Sequence, residues 1–589
     1  MVTGTNTPLS PLFLRMLGAF FATAEVAYGK IWLPRENNFL SVFLHCLEIT
    51  VNFSRALLLT AIHSVIVTLP ACGGGGGPAT PESPAASTTA STSSTTTPPS
   101  VAVTPNPAPT EAAPAALPGE TYSAATEYAS SYCQDGVYPS QWDWNPAMIV
   151  KQDAPATSGT PKIVQMRDGV AIATFSAFGG DAARSKPNSE NGTDTNVGPF
   201  RRAPYTQWKS GDVFLVYPAV YSGANMQIYI GPNAANDADY SAGKFSVPSN
   251  ITIRGVTVDG KRPVIVNPAT GASNATYGQG LIYIDGTYDS TTKKISQRAS
   301  NITIENLDIV DSPSGGYIGK AAIYINGGQD ITLRKVRISG FKQHSANGIF
   351  STGNTAGTLL LENVELDSNG GGGGPEHNAY IGASNSDPTF TFKVSGSWSH
   401  DAYYGHLLKS RAQRTIVEGS YLTGQRAAPG QQTETYLLDV PDGGELTVRN
   451  TIFVKNYSGN NSNGASLTFG VESASASRSW GLTVEHNTFV AMSRYYDDAK
   501  HKPYPLFISG KALGDKKIDS NLYVGYCNGD VTRDAPGTNA LTAGFNDIDL
   551  SYRPRLPSLT GNTGIIGTTS YWHQGRSATR KTNAVGARD

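Results

Sequence analysis

Three of the nine histidines, His377, His400 and His406, fall within thirty residues of one another. The same stretch carries Asn378, Asp401 and Tyr404, with Glu376 just before it and Lys409 and Arg411 just after. A Lys, His or Tyr can take a proton from a carbon next to a carboxylate. A neighbouring cation then holds the enolate-like charge, and a second acid protonates the leaving oxygen. Lys409 and Arg411 stand two apart, so in an extended chain they share one face, and their charge makes it the outer one. Lys409, Arg411, His406, His377 and Tyr404 are the candidates for proton transfer and charge stabilisation. His400, Asp401, Asn378, Tyr380, Tyr436 and Asp439 are the candidates for holding a ligand, and no metal ligands are assigned. The bland alternative is that these charges are solvated, with Lys409 paired only to Asp439 across a ladder.

The elements that must position them repeat. Ile251-Thr-Ile-Arg-Gly-Val-Thr-Val258, Ile302-Thr-Ile-Glu-Asn-Leu-Asp-Ile309, Ile331-Thr-Leu-Arg-Lys-Val-Arg-Ile338 and Leu359-Leu-Leu-Glu-Asn-Val-Glu-Leu366 are copies of one phrase. Leu446–Phe453 and Leu482–Phe489 repeat it, and Thr415–Leu422 is a weaker copy. Each copy is two short alternating strands around a bend at Gly255, Asn306, Lys335, Asn363, Gly419 or Asn450, mostly residues that tolerate left-handed backbone. His486 falls in this bend column and is expected to be structural.

A further strand recurs on the same beat. Taking Tyr324, Phe350, Tyr380, Leu408 and Leu438 as one column stacks Asn378, His406 and Tyr436, and likewise Ile381, Lys409 and Asp439. Short strands at a period near 28 residues predict a solenoid whose alternate side chains form the core.

The chain resembles the pectin-lyase-like superfamily over roughly 205–589, at Trp208–Pro218, Ile251–Gly260, Leu550–Pro554 and Ala584–Ala587. The resemblance implies an all-β fold, a right-handed parallel β-helix of roughly 9–11 coils with caps at both ends. Gly405-His-Leu-Leu-Lys409-Ser410 followed by Thr415-Ile-Val-Glu-Gly resembles the coil bearing the base Lys of the alginate lyase and chondroitinase B-like group. By that resemblance Lys409 is the base of a lyase that cleaves an acidic, uronate-containing polysaccharide by β-elimination. The group's calcium-ligand Glu is replaced by Tyr404 and its later Arg by Asp439. Calcium is therefore not assigned, and Arg411 is given the cationic role. Ser399-His400-Asp401 partly resembles the core of mannuronan epimerases, which keeps a uronate C5-epimerase open as an alternative. So does a non-catalytic adhesion protein that stacks sugars on some of its 28 Tyr. In a lyase, Arg411 and cover from the loop Gly370–Gly374 are expected to lower the Lys409 amine, with Asp439 opposing.

Composition bounds the rest. The net charge of −1 and 15% charged residues leave no basic field for nucleic acid. With 63 Gly and 36 Pro the chain is rich in turns. Arg55 precedes an apolar run, Ala56–Thr68, too short to span a bilayer but suited to a signal peptide. It ends in Leu69-Pro-Ala-Cys72, which resembles a bacterial lipobox with Cys72 as the lipidated residue. By resemblance to other lipoproteins, Gly73 after it favours the outer membrane, at its periplasmic face or at the cell surface. Residues 1–50 are expected to be an upstream leader outside the native product, and 51–72 the signal. A disordered linker follows over 73–120, then a cap over 121–205, the repeat over 206–535 and a closing segment over 536–589. The expected partners are an acidic polysaccharide and the membrane, for a monomer. Cys133 and Cys527 are free to pair in an oxidising compartment.

Overall fold

The computed structural model describes residues 153–526 apart from 180–197, 201–207, 224–225, 234–238, 240–241, 268–278, 313–318, 343–345, 372–375, 384–385, 425–433, 457–464, 473–477, 479, 493–503 and 510–513, together with 541–543, 570–573 and 576–579. The leader, signal and linker, Cys72, Cys133, Cys527, most of the Gly370–Gly374 loop and most of the closing segment lie outside the described residues.

The protein is all-β, and its strands fall into long parallel ladders. The chain visits three ladders in a fixed order, over and over. The first ladder begins at Val213–Val216 and Thr252–Gly255 and continues through Lys294–Glu305, Gly328–Arg334 and Ala356–Glu362 to Asp515–Asp519. The second has 11 strands, among them Arg337–Ser339, Glu365–Asp367 and Trp398–His400. The third runs from Ile228–Ile230 through Ala379–Ile381, Leu408–Ser410 and Leu438–Val440 to Tyr504–Ile508. At the start, Ile163–Arg167 pairs antiparallel with Val213–Val216 and with Val170–Phe175, covering an edge that would otherwise stand open.

Alternation builds the core. Ile253, Ile304, Leu333, Leu361, Val394, Val417, Val448 and Val484 lie in register along the first ladder, and all are buried. The strand Thr391–Ser395 is one more copy of the repeat, hidden in sequence because Phe392-Lys-Val-Ser-Gly-Ser-Trp lacks the Ile-Thr-Ile cadence. The bend column has positive φ at Asn306, Lys335, Asn363, Asn450, His486 and Ser520 and at Gly396 and Gly419. Inside this corner runs a chain of hydrogen bonds from backbone N–H to side chain. Val364 N donates to Ser397 Oγ (3.0 Å), Ser397 N to Ser420 Oγ (3.1 Å) and Ser420 N to Thr451 Oγ1 (3.5 Å). Thr451 N then donates to Asn487 Oδ1 and Asn487 N to Asn521 Oδ1, each at 3.0 Å.

The third ladder corrects the expected column by one residue. Ala379 pairs with Leu408 and Tyr380 with Lys409, while Leu408 pairs with Leu438 and Lys409 with Asp439. A slip of one residue changes the face on which every side chain stands. Tyr380, Lys409 and Asp439 therefore share the outer face, and Ala379, Leu408 and Leu438 enter the core.

Candidate carboxylate and proton-transfer site

Lys409 projects from the strand Leu408–Ser410 between Tyr380 and Asp439. Behind it, Ser410 Oγ and Thr415 Oγ1 share a buried 2.7 Å hydrogen bond that fixes the turn into the first ladder. Lys409 Nζ lies 3.2 Å from Asp439 Oδ2 and donates to Glu472 Oε1 at 2.6 Å. Arg411 Nε donates to the Tyr380 hydroxyl at 3.0 Å, one terminal nitrogen to Asp442, and the other to Glu472 Oε2. Both cations also lie against the Tyr380 ring, at 5.7 Å and 5.9 Å from its centroid. Arg478 stands 3.7 Å from Asp442 and donates to the carbonyls of Arg411 and Ala412. Three cations thus face three carboxylates.

Burial alone would lower the Lys409 amine, but Asp439 and Glu472 outweigh it and raise the amine above its ordinary value. This reverses the sequence expectation. Glu472, which adds to Asp439 here, escaped the sequence reading because it lies just beyond the strand two further along the third ladder. Arg411 is likewise held charged, with burial opposed by Tyr380, Asp442 and Glu472.

The histidines form a stack beside this cluster. The His377 and His406 rings lie 4.5 Å apart at 8°, and His406 stacks on Tyr436 at 4.9 Å. Tyr436 thus stacks in line with His377, where the sequence column had Asn378. The Asn378 side chain turns into the corner instead, donating to the carbonyls of His400 (2.8 Å) and Leu366 (3.2 Å) and to Ser399 Oγ (3.1 Å). His377 Nδ1 accepts from His406 N at 2.8 Å, and His406 Nδ1 accepts from Tyr436 N at 3.2 Å. Burial holds both rings well below the usual histidine range, helped at His377 by Lys409 and Arg411 and at His406 by His377 and then Lys409, which favours the neutral form of each. A neutral ring whose Nδ1 accepts must carry its proton on Nε2. Each ring is therefore a hydrogen-bond donor at Nε2, and His406 Nε2 sits 3.4 Å from Asp439 Oδ2. Gly405 makes the arrangement possible: a Cβ there would meet Glu376 O at 2.0 Å and His377 Nδ1 at 2.2 Å. A second buried ion pair backs the stack, with Lys455 Nζ 2.7 Å from Glu434 O and 3.5 Å from its carboxylate. Neither side chain is exposed to solvent.

His400 and Asp401 belong to a different group. His400 Nδ1 and Asp401 Oδ2 are 2.7 Å apart, and Nε2 lies 3.5 Å from Glu365 Oε1. Despite burial, Asp401 and Glu365 push the imidazole up to about 9. Glu365, Asp367 and His400 bring donor atoms within 4.8 Å of one another. Arg337 already spans both carboxylates, at 3.0 Å and 2.6 Å, and His400 is itself a cation here. This donor set does not fit the all-oxygen shell that calcium takes. Tyr404, where the resembled lyases have their calcium-ligand Glu, is half-buried on the segment between the two groups.

A line of outward aromatic rings leads to Tyr380 along the third ladder. Tyr229, Tyr283, Tyr324, Phe350 and Tyr380 follow one another at centroid spacings of 5.4, 5.1, 5.6 and 5.3 Å. Comparison of the chain with protein-family models, curated proteins and solved structures finds no match.

Proposed function

We propose that the protein is a right-handed parallel β-helix of the pectin-lyase-like kind, which binds an acidic uronate-containing polysaccharide and cleaves it by β-elimination. The observation that carries the proposal is the Lys409–Arg411 pair, two cations gripping one carboxylate beside the His406 donor. A uronate carboxylate on that pair would have its enolate-like charge met by Arg411. Lys409, with Asp439 still in place and its ammonium having first lost a proton to water, would take the proton from the adjacent carbon. A neutral imidazole Nε2–H from His406 or His377 would hydrogen-bond the leaving oxygen, which takes the abstracted proton from the Lys409 ammonium as the C–O bond breaks. The lipobox ending at Cys72 adds an outer-membrane anchor to this reading.

Ultraviolet absorbance of the unsaturated product, followed with the purified protein on alginate, polygalacturonate and chondroitin, tests the chemistry. Product from any one of them supports elimination. A second reading, non-catalytic binding, is favoured by the raised state of the Lys409 amine. It predicts retention of these polymers with no absorbance change.

A further inference from the structure

We propose that Lys409 and Arg411 form a carboxylate-binding subsite which the chain's own Glu472 fills in the free protein, and that an acidic sugar binds by exchanging its carboxylate for that of Glu472. This rests on the functional reading above and adds what the site does before substrate arrives.

Glu472 forks as a bound ligand would, Oε1 to Lys409 Nζ at 2.6 Å and Oε2 to Arg411. Among the six charged groups of the cluster it alone is open to solvent. Its side chain is 44% exposed, against 9% for Lys409, 12% for Arg411, 6% for Arg478, 1% for Asp442 and none for Asp439. The other five cannot leave without stranding a buried charge; Glu472 can swing into water. Its backbone stays fixed by the hydrogen bond from Glu472 N to Pro441 O at 3.1 Å, so only the side chain need move.

The cations remain aimed after it leaves. Tyr380 holds Arg411 Nε, Asp442 holds one terminal nitrogen, and Asp439 holds Lys409 at 3.2 Å. The remaining guanidinium nitrogen and the ammonium are then a preset fork for one carboxylate. Binding an acidic sugar restores a carboxylate to the fork; a neutral sugar has nothing to offer it.

The test uses calorimetric titration of wild-type protein, Glu472→Gln and Glu472→Gln/Arg411→Gln with sodium D-glucuronate, and with D-glucose as the neutral control. Charged hydrogen bonds of this kind are worth about ten- to a hundredfold in affinity. Glu472→Gln keeps the shape and removes the competing charge, so glucuronate should bind it tighter by about that factor. The double variant should lose the gain, and glucose should show none. Equal or weaker binding by Glu472→Gln, or no glucuronate binding by any form, overturns the exchange. If the gain appears but no polymer yields unsaturated product, the subsite stands and elimination falls. If wild-type protein eliminates but Glu472→Gln shows no gain, elimination stands and the exchange falls.

Discussion

Gly405→Ala tests whether the imidazole stack is built by the backbone. The added Cβ would sit 2.0 Å from Glu376 O and 2.2 Å from His377 Nδ1, where contacts under 3.0 Å are essentially never seen. The His377 ring could swing aside, but the carbonyl is backbone of the neighbouring coil, so the two coils must part by about 1 Å against an ordinary strand spacing of about 4.8 Å. That separation breaks the bond from His406 N to His377 Nδ1 (2.8 Å) and the bond from Asn378 N to His406 O (3.1 Å). Two hydrogen bonds at about 0.5–1.5 kcal/mol each, with an overpacking cost of about 1–3 kcal/mol, give a destabilisation of about 2–5 kcal/mol. Urea unfolding followed by circular dichroism measures it. Nitrogen NMR of labelled histidine reads the second consequence: wild-type His377 should show the neutral ring protonated on Nε2, and the variant a mixture. Wild-type stability together with an unchanged His377 spectrum would refute the reasoning, because the glycine would then be dispensable.

Lys409→Ala should cut turnover by about 10²–10⁴ if the amine is the base. Lys409→Arg should retain binding yet stay inactive, since a guanidinium does not give up its proton at working pH; substantial turnover by Lys409→Arg would move the base elsewhere. His400, pushed up to about 9, lends stability that is complete below 6.5 and is lost as pH rises through about 9. His377 and His406 act oppositely: the unfolded chain takes up their protons below 6.5, so stability falls on the acid side. Melting temperatures across pH should accordingly drop at both ends, and His400→Gln should flatten only the alkaline limb; an unchanged alkaline limb would disprove the assignment. Lys455→Met should cost about 3–5 kcal/mol by leaving Glu434 buried without its cation, and Lys455→Met/Glu434→Gln should recover most of it in denaturant titrations.

The first ladder was legible because Ile-Thr-Ile alternation and an Asn or Gly bend leave the same trace in each coil. The copy at Phe392 was not, since packing there is met by Phe, Val and Trp in place of the usual Ile and Leu. The third ladder slipped because matching by size sets Tyr380 against Leu408, whereas the core position facing Leu408 is the small Ala379. His377, His406, Lys409 and Asp439 announced themselves by crowding and by charge. Glu472 and Asp442 did not, because their contacts with Arg411 join residues 61 and 31 apart in sequence through side chains alone. Lys455 and Glu434 would pass in sequence for solvated surface charges, and only the packed corner shows them facing inward.

The five hydrogen bonds from backbone N–H to side chain in the bend corner all point one way. The N–H groups of Val364, Ser397, Ser420, Thr451 and Asn487 each donate to a side chain of the following coil. Every coil in this run is thus completed by its successor, as a course of bricks is locked by the one laid on top. Removing a coil from the C-terminal side of this run would therefore leave the coil before it with a backbone donor that has lost its side-chain acceptor. A chain cut within this run thus ends on an unmet donor, whereas the same cut leaves only spare side-chain acceptors on the far side.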